Sequence, residues 1–166
     1  KFIYFKLIMD DVVIIGGGII GVATAYFLSK EGRKVKVIEK DPSYKEASFP
    51  LSLGGFRRQF FQKENILLGK FARDFIFQIP ELLKTKKNPN PTASMVPNGY
   101  LLMFGPEHAE EQYRALENHK ECGAGTKNIK GSELSKVFSY INDEGIETAT
   151  YTDDKSEGWI DPFMFH

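Results

Sequence analysis

The chain has 166 residues, a length for one domain or for a small domain with an insertion. Lys plus Arg and Asp plus Glu both number 22, and a formal net charge of zero argues against nucleic acid, whose phosphates call for a basic surface. Hydrophobic residues make up 42%, enough for a core, yet no apolar run reaches the length of a transmembrane helix.

The single cysteine, Cys122, allows no internal disulfide and fits a reducing compartment; without an activating neighbour it reads as a plain helix-end residue. The opening segment KFIYFKLIM, residues 1–9, is apolar and basic but too short for a full signal or transit peptide. It reads as the remnant of a leader, an interaction segment or an extra strand.

Val12 to Ile15 are apolar strand formers that run straight into Gly16-Gly17-Gly18. A helical stretch follows from Ile19 to about Glu31, with Gly32 where a helix ends. Val35, Val37 and Ile38 then form a second strand, closed by Glu39. The spacing Gly16-x-Gly18-x-x-Gly21 in this setting fits a dinucleotide fingerprint. Gly16 permits the tight turn, Gly18 lets a pyrophosphate approach the backbone, and Gly21 lets the helix lie close to the strands. Free N–H groups at the helix start would hold the phosphates. Glu39 is placed to accept hydrogen bonds from a ribose, and an acid there disfavours the 2′-phosphate of NADP.

Lys40-Asp41-Pro42-Ser43 is a turn. The stretch Ala47-Ser48-Phe49-Pro50-Leu51-Ser52-Leu53-Gly54-Gly55-Phe56-Arg57-Arg58-Gln59 has little periodicity. It is either a plain loop or a backbone that passes close to a flat ligand, with hydroxyls as donors and an arginine at the ligand edge.

Lys63 to about Ile79 is helical, with Leu68, Phe71, Ala72, Phe75, Ile76 and Ile79 recurring at core spacing. Pro80 either kinks this helix or opens another. The polar run 84–91, with Pro89 and Pro91, is the clearest boundary, and its lysines read as a solvated surface. Residues 99–104 read as a strand. A helix with Pro106 in its first turn follows, bearing Ala109, Gln112, Tyr113 and Leu116 on one face and stopping at Gly123. His108 and His119 do not share a face at ligand spacing, so no metal site is expected. A short helix over 132–138 precedes a strand over 146–151 that alternates as if one face were buried. Trp159-Ile160 leads into the turn at Asp161-Pro162.

The fingerprint followed by Ala-Ser-x-x-x-Ser-x-Gly-Gly-x-Arg resembles the FAD-dependent amine and amino-acid oxidoreductases of the D-amino-acid oxidase (DAO) superfamily. The likeness runs from residue 11 to about 163. It includes Glu64-Asn65-Ile66, Asn98-Gly99-Tyr100-Leu101 and Glu157-Gly158-Trp159-Ile160-Asp161-Pro162. Within the superfamily the chain most resembles a mitochondrial member associated with assembly of respiratory complex I, and a mitochondrial location rests on that likeness alone.

The resemblance implies an α/β fold: a Rossmann-like FAD-binding domain, of which residues 1–91 are the N-terminal part, and the start of a mixed α+β substrate domain over 92–166. It implies a bound FAD. Gly16, Gly18, Ile19, Ile20 and Gly21 would line its pyrophosphate, Glu39 would hold the adenosine ribose, and Lys40 would lie beside the adenine. Ser48, Ser52, Leu53 and Gly54 would run toward the isoalloxazine, with Arg57 near flavin and substrate. Some relatives link a histidine of this loop to the flavin; the matching position here is Leu51, which implies non-covalent FAD.

The resemblance also implies that the part returning into the FAD domain lies beyond this sequence, so a C-terminal portion or a protein partner is expected to cover apolar surface. Three functions follow. The first is hydride transfer from a small amine or amino-acid substrate to flavin, with Arg57 or Arg58 pairing a substrate carboxylate. The second is a non-catalytic flavoprotein serving complex I assembly. The third is an NAD-binding Rossmann domain, which the fingerprint allows but the Ser/Gly/Arg loop does not suggest.

Overall fold

A computed structural model describes residues 11–165, and the apolar opening segment discussed above lies outside the described residues. By its contacts the chain divides into two units. One holds the residues through Leu53 with Pro162–Met164; the other spans Gly54–Asp161.

The first unit is the strand–helix–strand that the glycine spacing predicts. Strand β1 (Asp11–Ile15) pairs in parallel with β2 (Lys34–Ile38), and α1 (Ile19–Lys30) connects them. Val12 faces Val35 and Ile14 faces Val37 across the ladder. Gly32, at φ +79, follows the last helical turn and donates to the Ser29 carbonyl, as a left-handed helix stop does. No residue of α1 is buried. Ile15 is 88% exposed and Val13 55%. Parallel sheets are normally covered on both faces. Burying one such side chain is worth about 1.5–3 kcal/mol, and the described apolar side chains of this unit leave most of that uncollected.

The buried apolar core lies in the second unit, and residues from Phe56 to Ile160 build it. Its sheet has the order β4 (Leu101–Phe104), β6 (Thr148–Tyr151), β5 (Lys127–Lys130), all antiparallel. Strand β6 is therefore central. Thr148, Ala149 and Thr150 are all buried, so both faces are covered rather than the one that alternation suggests. The hydroxyls tolerate this because Thr148 donates to Asn128 Oδ1 at 2.7 Å and Thr150 accepts from Gln112 Nε2 at 3.4 Å. Ile129, Leu134 and Ala149 form a cluster under Leu101, Phe138, Ile141, Ile146 and Tyr151. Leu134 comes from the short helix α4 (Gly131–Val137).

Two longer helices complete this unit. Helix α2 (Lys63–Leu82) continues through Pro80 and ends two residues later, so the proline neither opens a new helix nor stops this one at once. Its buried residues are Ile66, Gly69, Ile76 and Ile79. Leu68 and Phe71, read from periodicity as core, are 63% and 56% exposed. Gly69 explains the shift: a Cβ there would lie 2.8 Å from the Arg57 carbonyl oxygen and 3.2 Å from Arg58 Cα. The helix turns its glycine toward that backbone, which rotates Leu68 and Phe71 outward. Helix α3 (Pro106–Glu121) buries Ala109, Gln112, Ala115 and His119, while Tyr113 lies on the exposed side rather than on the core face.

A second, two-stranded antiparallel ladder joins β3 (Gly55–Phe56) to β7 (Gly158–Trp159). Strands this short carry no periodicity, and the sequence reads the first of them as loop. The chain closes on α5 (Pro162–Phe165). Among the described residues no helix is long and apolar enough to cross a membrane.

Gly69→Ala is expected to lower stability by about 1–3 kcal/mol through overpacking against residues 57–58. Leu68→Ala, on the exposed side, is expected to stay within about 0.5 kcal/mol. Thermal denaturation of the two variants measures both; an unshifted Gly69→Ala would contradict the close approach.

Candidate functional site

The glycine loop of the first unit has the geometry that an anionic ligand needs. Gly16 sits at φ +99, where a side chain is disfavoured, and donates to the Ile38 carbonyl at 2.8 Å. A Cβ on Gly21 would collide with the Gly16 carbonyl oxygen, so only glycine lets α1 come this close to the turn. A Cβ on Gly18 would meet nothing within 4 Å, which leaves open space directly over the helix start. Gly18 is the N-cap of α1, with no side-chain cap and no acid in the first turn. The first intrahelical bond shown is Val22 N–H to Gly18 O at 3.0 Å, so the N–H groups of Ile19, Ile20 and Gly21 are left at the positive end of the helix dipole.

Glu39 closes this loop from the tip of β2. Its Oε2 accepts from Gly17 N–H at 2.6 Å and its Oε1 from Asp41 N–H at 2.9 Å. Those bonds, from Asp41 first and Gly17 second, hold its carboxyl below the usual carboxylate range. The acid is thus ionised at neutral pH and fixed beside the glycines, with lone pairs left to accept ribose hydroxyls. Asp41 in turn accepts from Ser43 N–H and Oγ, which shapes the turn.

A cleft of about 360 Å³ brings together Gly18, Ile19, Ile20, Glu39, Lys40 and Ser48, with Tyr44 and Phe49 as aromatic walls. The Lys40 ammonium lies 3.8 Å from Glu46 on the exposed rim. Ser52 donates its N–H to Phe49 O at 2.9 Å in the next turn and, like Leu53, is exposed outside that cleft. Gly54 and Arg57 belong to the second unit.

In that unit the loop after β3 is held by side chains from distant sequence. The Glu157 side chain is fully buried. Its Oε1 accepts from Arg58 N–H at 2.6 Å; its Oε2 accepts from Gln59 Nε2 and from Thr152 Oγ1, both at 2.8 Å. Gln59 Nε2 also donates to the Tyr100 carbonyl at 3.1 Å. His119 Nε2 donates to the Phe60 carbonyl at 2.7 Å, and Asn118 Nδ2 to the Phe61 carbonyl at 2.8 Å.

Arg58 is consumed by this network. Its Nη2 donates to Asp154 Oδ2 at 2.8 Å and to Ser156 Oγ, and its guanidinium is buried. Burial alone would raise the Asp154 pKa, but hydrogen bonds from Ser156 and Arg58 outweigh it and hold the carboxyl below its usual range. Arg58 therefore does not offer itself to a substrate carboxylate, as the sequence allowed. Arg57 does. Its guanidinium lies 4.9 Å from the Phe60 ring centre and 5.7 Å from that of Tyr100, and among the described residues only its Nε is hydrogen-bonded, to Gln59 O at 3.3 Å.

Glu157, Gln59 and His119 had no role in the sequence reading beyond Glu157 standing in a matching segment. Apart from Thr152, the partners of Glu157 lie far away in the chain, as do those of the Gln59 and His119 side chains, and an acid followed by Gly-Trp carries no pattern that marks it as buried.

The comparisons with known proteins agree with this geometry. A family model described as DAO, FAD dependent oxidoreductase, matches residues 11–166. The chain belongs to this family. FAD-dependent oxidoreductase domain-containing protein 1 of Xenopus laevis is 40% identical over 161 residues, and that of Bos taurus 36% over 159. These matches cover 92% and 93% of this chain but 32% of each relative, so the chain spans about a third of their length. Among solved structures, L-proline dehydrogenase from P. horikoshii has a TM-score of 0.71 at 27% identity, covering 93% of this chain and 39% of that one. Glycine oxidase from Geobacillus kaustophilus has the same TM-score at 19% identity, covering 94% and 41%, and shares the fold. The chain thus has the α/β fold of the DAO family, whose cofactor is FAD. Its glycine loop, uncapped helix start and Glu39 fit the adenosine-diphosphate half of that cofactor.

His119 supplies a pH test of the second unit's network. Burial holds its pKa below the ordinary value of 6.5, against weaker opposing effects of Phe60 and Glu157, and its Nδ1 is buried with no partner among the described residues. The unfolded chain therefore takes up a proton at a higher pH than the folded one. The stability that the neutral ring confers is full above about pH 6.5 and is lost as pH falls through that value. Melting temperatures between pH 7.5 and 5.5 should fall, and His119→Gln should flatten that slope; equal slopes would contradict it.

Proposed function

We propose that this chain is the cofactor-holding part of an oxidoreductase acting on a small amine or amino acid, with FAD bound non-covalently. The observation that carries the reading is the pairing of an open, uncapped helix N-terminus at Gly18 with the anchored carboxylate of Glu39. The N–H groups of Ile19, Ile20 and Gly21 take the pyrophosphate, and Glu39 accepts the ribose hydroxyls. Lys40 and Ser48 border the adenine side, while Ser52, Leu53 and Gly54 lead toward the ring system. Leu51 offers no nucleophile for a covalent link, which supports a dissociable flavin. Arg57 presents its free guanidinium edge to a substrate carboxylate, where a planar fork is matched bidentately. When bound, flavin supplies the acceptor for a hydride from the carbon next to the amine nitrogen.

The exposed Ile15 and Val13 of β1 favour a further polypeptide segment, in the same or another chain, that covers this sheet. The same face supports a second reading, drawn from resemblance to a mitochondrial assembly factor: a flavoprotein without turnover that serves assembly of respiratory complex I. Flavin reduction by secondary amines or amino acids supports the first reading. Stable co-purification with complex I subunits without such reduction supports the second.

Calorimetric titration with FAD and with NADP tests the cofactor assignment. FAD is expected to bind and NADP to bind far more weakly. Glu39→Ala should weaken FAD by about tenfold, the equivalent of about 1.4 kcal/mol, as loss of charge-assisted hydrogen bonds predicts. Gly18→Val should abolish binding with the melting temperature retained, since its side chain enters open space. FAD affinity unchanged in both variants would refute the site.

A further inference from the structure

We propose that Glu157 is the positioning residue of Arg57, fixing where its guanidinium presents through hydrogen bonds to the two residues that follow it. This rests on the reading of Arg57 as the partner of a substrate carboxylate.

Among the described residues, each contact that orients Arg57 leads back to the buried carboxylate of Glu157. The Arg57 Nε donates to the Gln59 carbonyl at 3.3 Å, and the Gln59 side chain donates to Glu157 Oε2 at 2.8 Å. The ring of Tyr100, 5.7 Å from the guanidinium carbon, sits on a residue whose carbonyl accepts from that same Gln59 amide at 3.1 Å. The Phe60 ring, 4.9 Å away, follows a backbone that Glu157 grips at Arg58 N–H and His119 grips at Phe60 O. Among the described residues Arg57 makes no ion pair, and its direction rests on the Gln59 carbonyl and the two aromatic rings. Tyr100 is further confined because its hydroxyl lies against Gly55, where any Cβ would collide with it.

A buried carboxylate is a poor choice for stability alone. Ionised groups lose hydration on burial, and apolar replacements of similar size often do as well or better. The charge of Glu157 is instead directed at the residues adjoining Arg57. A short amide segment held by a charge-assisted bond has few ways to shift, so the side chain it carries is preorganised. This division of labour also explains the two adjacent arginines: Arg58 is spent on Asp154 and Ser156 inside, while Arg57 is half-buried and engages neither of them.

The test uses the whole chain labelled with 15N and follows the Nε–Hε signals of Arg57 and of Arg73, which stacks on Phe77 at 4.6 Å away from this network. In Glu157→Gln, a variant of the same shape, Arg57 Hε exchange should rise by about tenfold, as expected for losing hydrogen bonds to a charge. Arg73 should not change, which separates positioning from general loosening. Equal Arg57 exchange in the wild type and in folded Glu157→Gln overturns the proposal. If Glu157→Gln does not fold, Gln59→Leu decides: it cuts the relay to Tyr100 and leaves Arg58 N–H on Glu157. Faster Arg57 exchange there supports the proposal and unchanged exchange overturns it. Titration with sodium acetate reads the underlying assignment separately. A wild-type Arg57 signal that acetate does not move refutes the carboxylate role, while loosening by Glu157→Gln still supports positioning.

Discussion

The carboxylate of Glu157 is the constraint on which the second unit turns. Removed from water, it is tolerable only if donors surround it, because an uncompensated buried charge costs several kcal/mol. The donors come from Arg58, Gln59 and Thr152, so the loop after β3 has to meet a segment 99 residues later in the chain. Once that meeting is made, other positions follow. Phe60 and Phe61 turn their carbonyls to His119 and Asn118 of α3. Helix α2 lays Gly69 against the backbone of Arg57 and Arg58. The β3–β7 ladder, at Gly55–Phe56 and Gly158–Trp159, flanks the same contact. A polar interaction thus sets a register that apolar burial alone would leave loose.

The first unit depends on a different and more local constraint. Its order comes from a glycine turn, a parallel pair of strands and one acid that accepts two backbone N–H groups. It has little buried apolar surface among the described residues, yet its glycine loop and Glu39 are held in place by their own hydrogen bonds. This contrast fits a module in which the cofactor and a further polypeptide segment supply contacts that the βαβ unit does not make for itself.

How much was legible in the sequence follows from these two kinds of constraint. The glycine fingerprint and Glu39 lie within one short stretch, and each residue's task follows from turn geometry, helix polarity and strand length. The Rossmann-like unit could therefore be read in order, and the family with it. Glu157 could not. Two of its three donors, Arg58 and Gln59, are remote, and nothing local separates a buried acid from a solvated one. The same limit explains Leu68 and Phe71: their spacing suits a core face, but the backbone of residues 57–58 chose the glycine side of α2. Strand β6 was half legible. Its threonines look like an exposed face, and only Asn128 and Gln112, from other elements, make their burial possible. Arg57 and Arg58 were indistinguishable as letters and differ only in which side of the loop each faces.

The central claim is that this chain holds FAD in a dissociable form. Its most direct test is the visible absorbance spectrum of the chain after incubation with FAD and removal of excess, followed by acid precipitation. A flavin spectrum shifted from that of free FAD is expected, with a yellow supernatant once the protein is precipitated. A colourless protein that FAD does not reconstitute would contradict it, and flavin that stays with the acid pellet would contradict the non-covalent assignment.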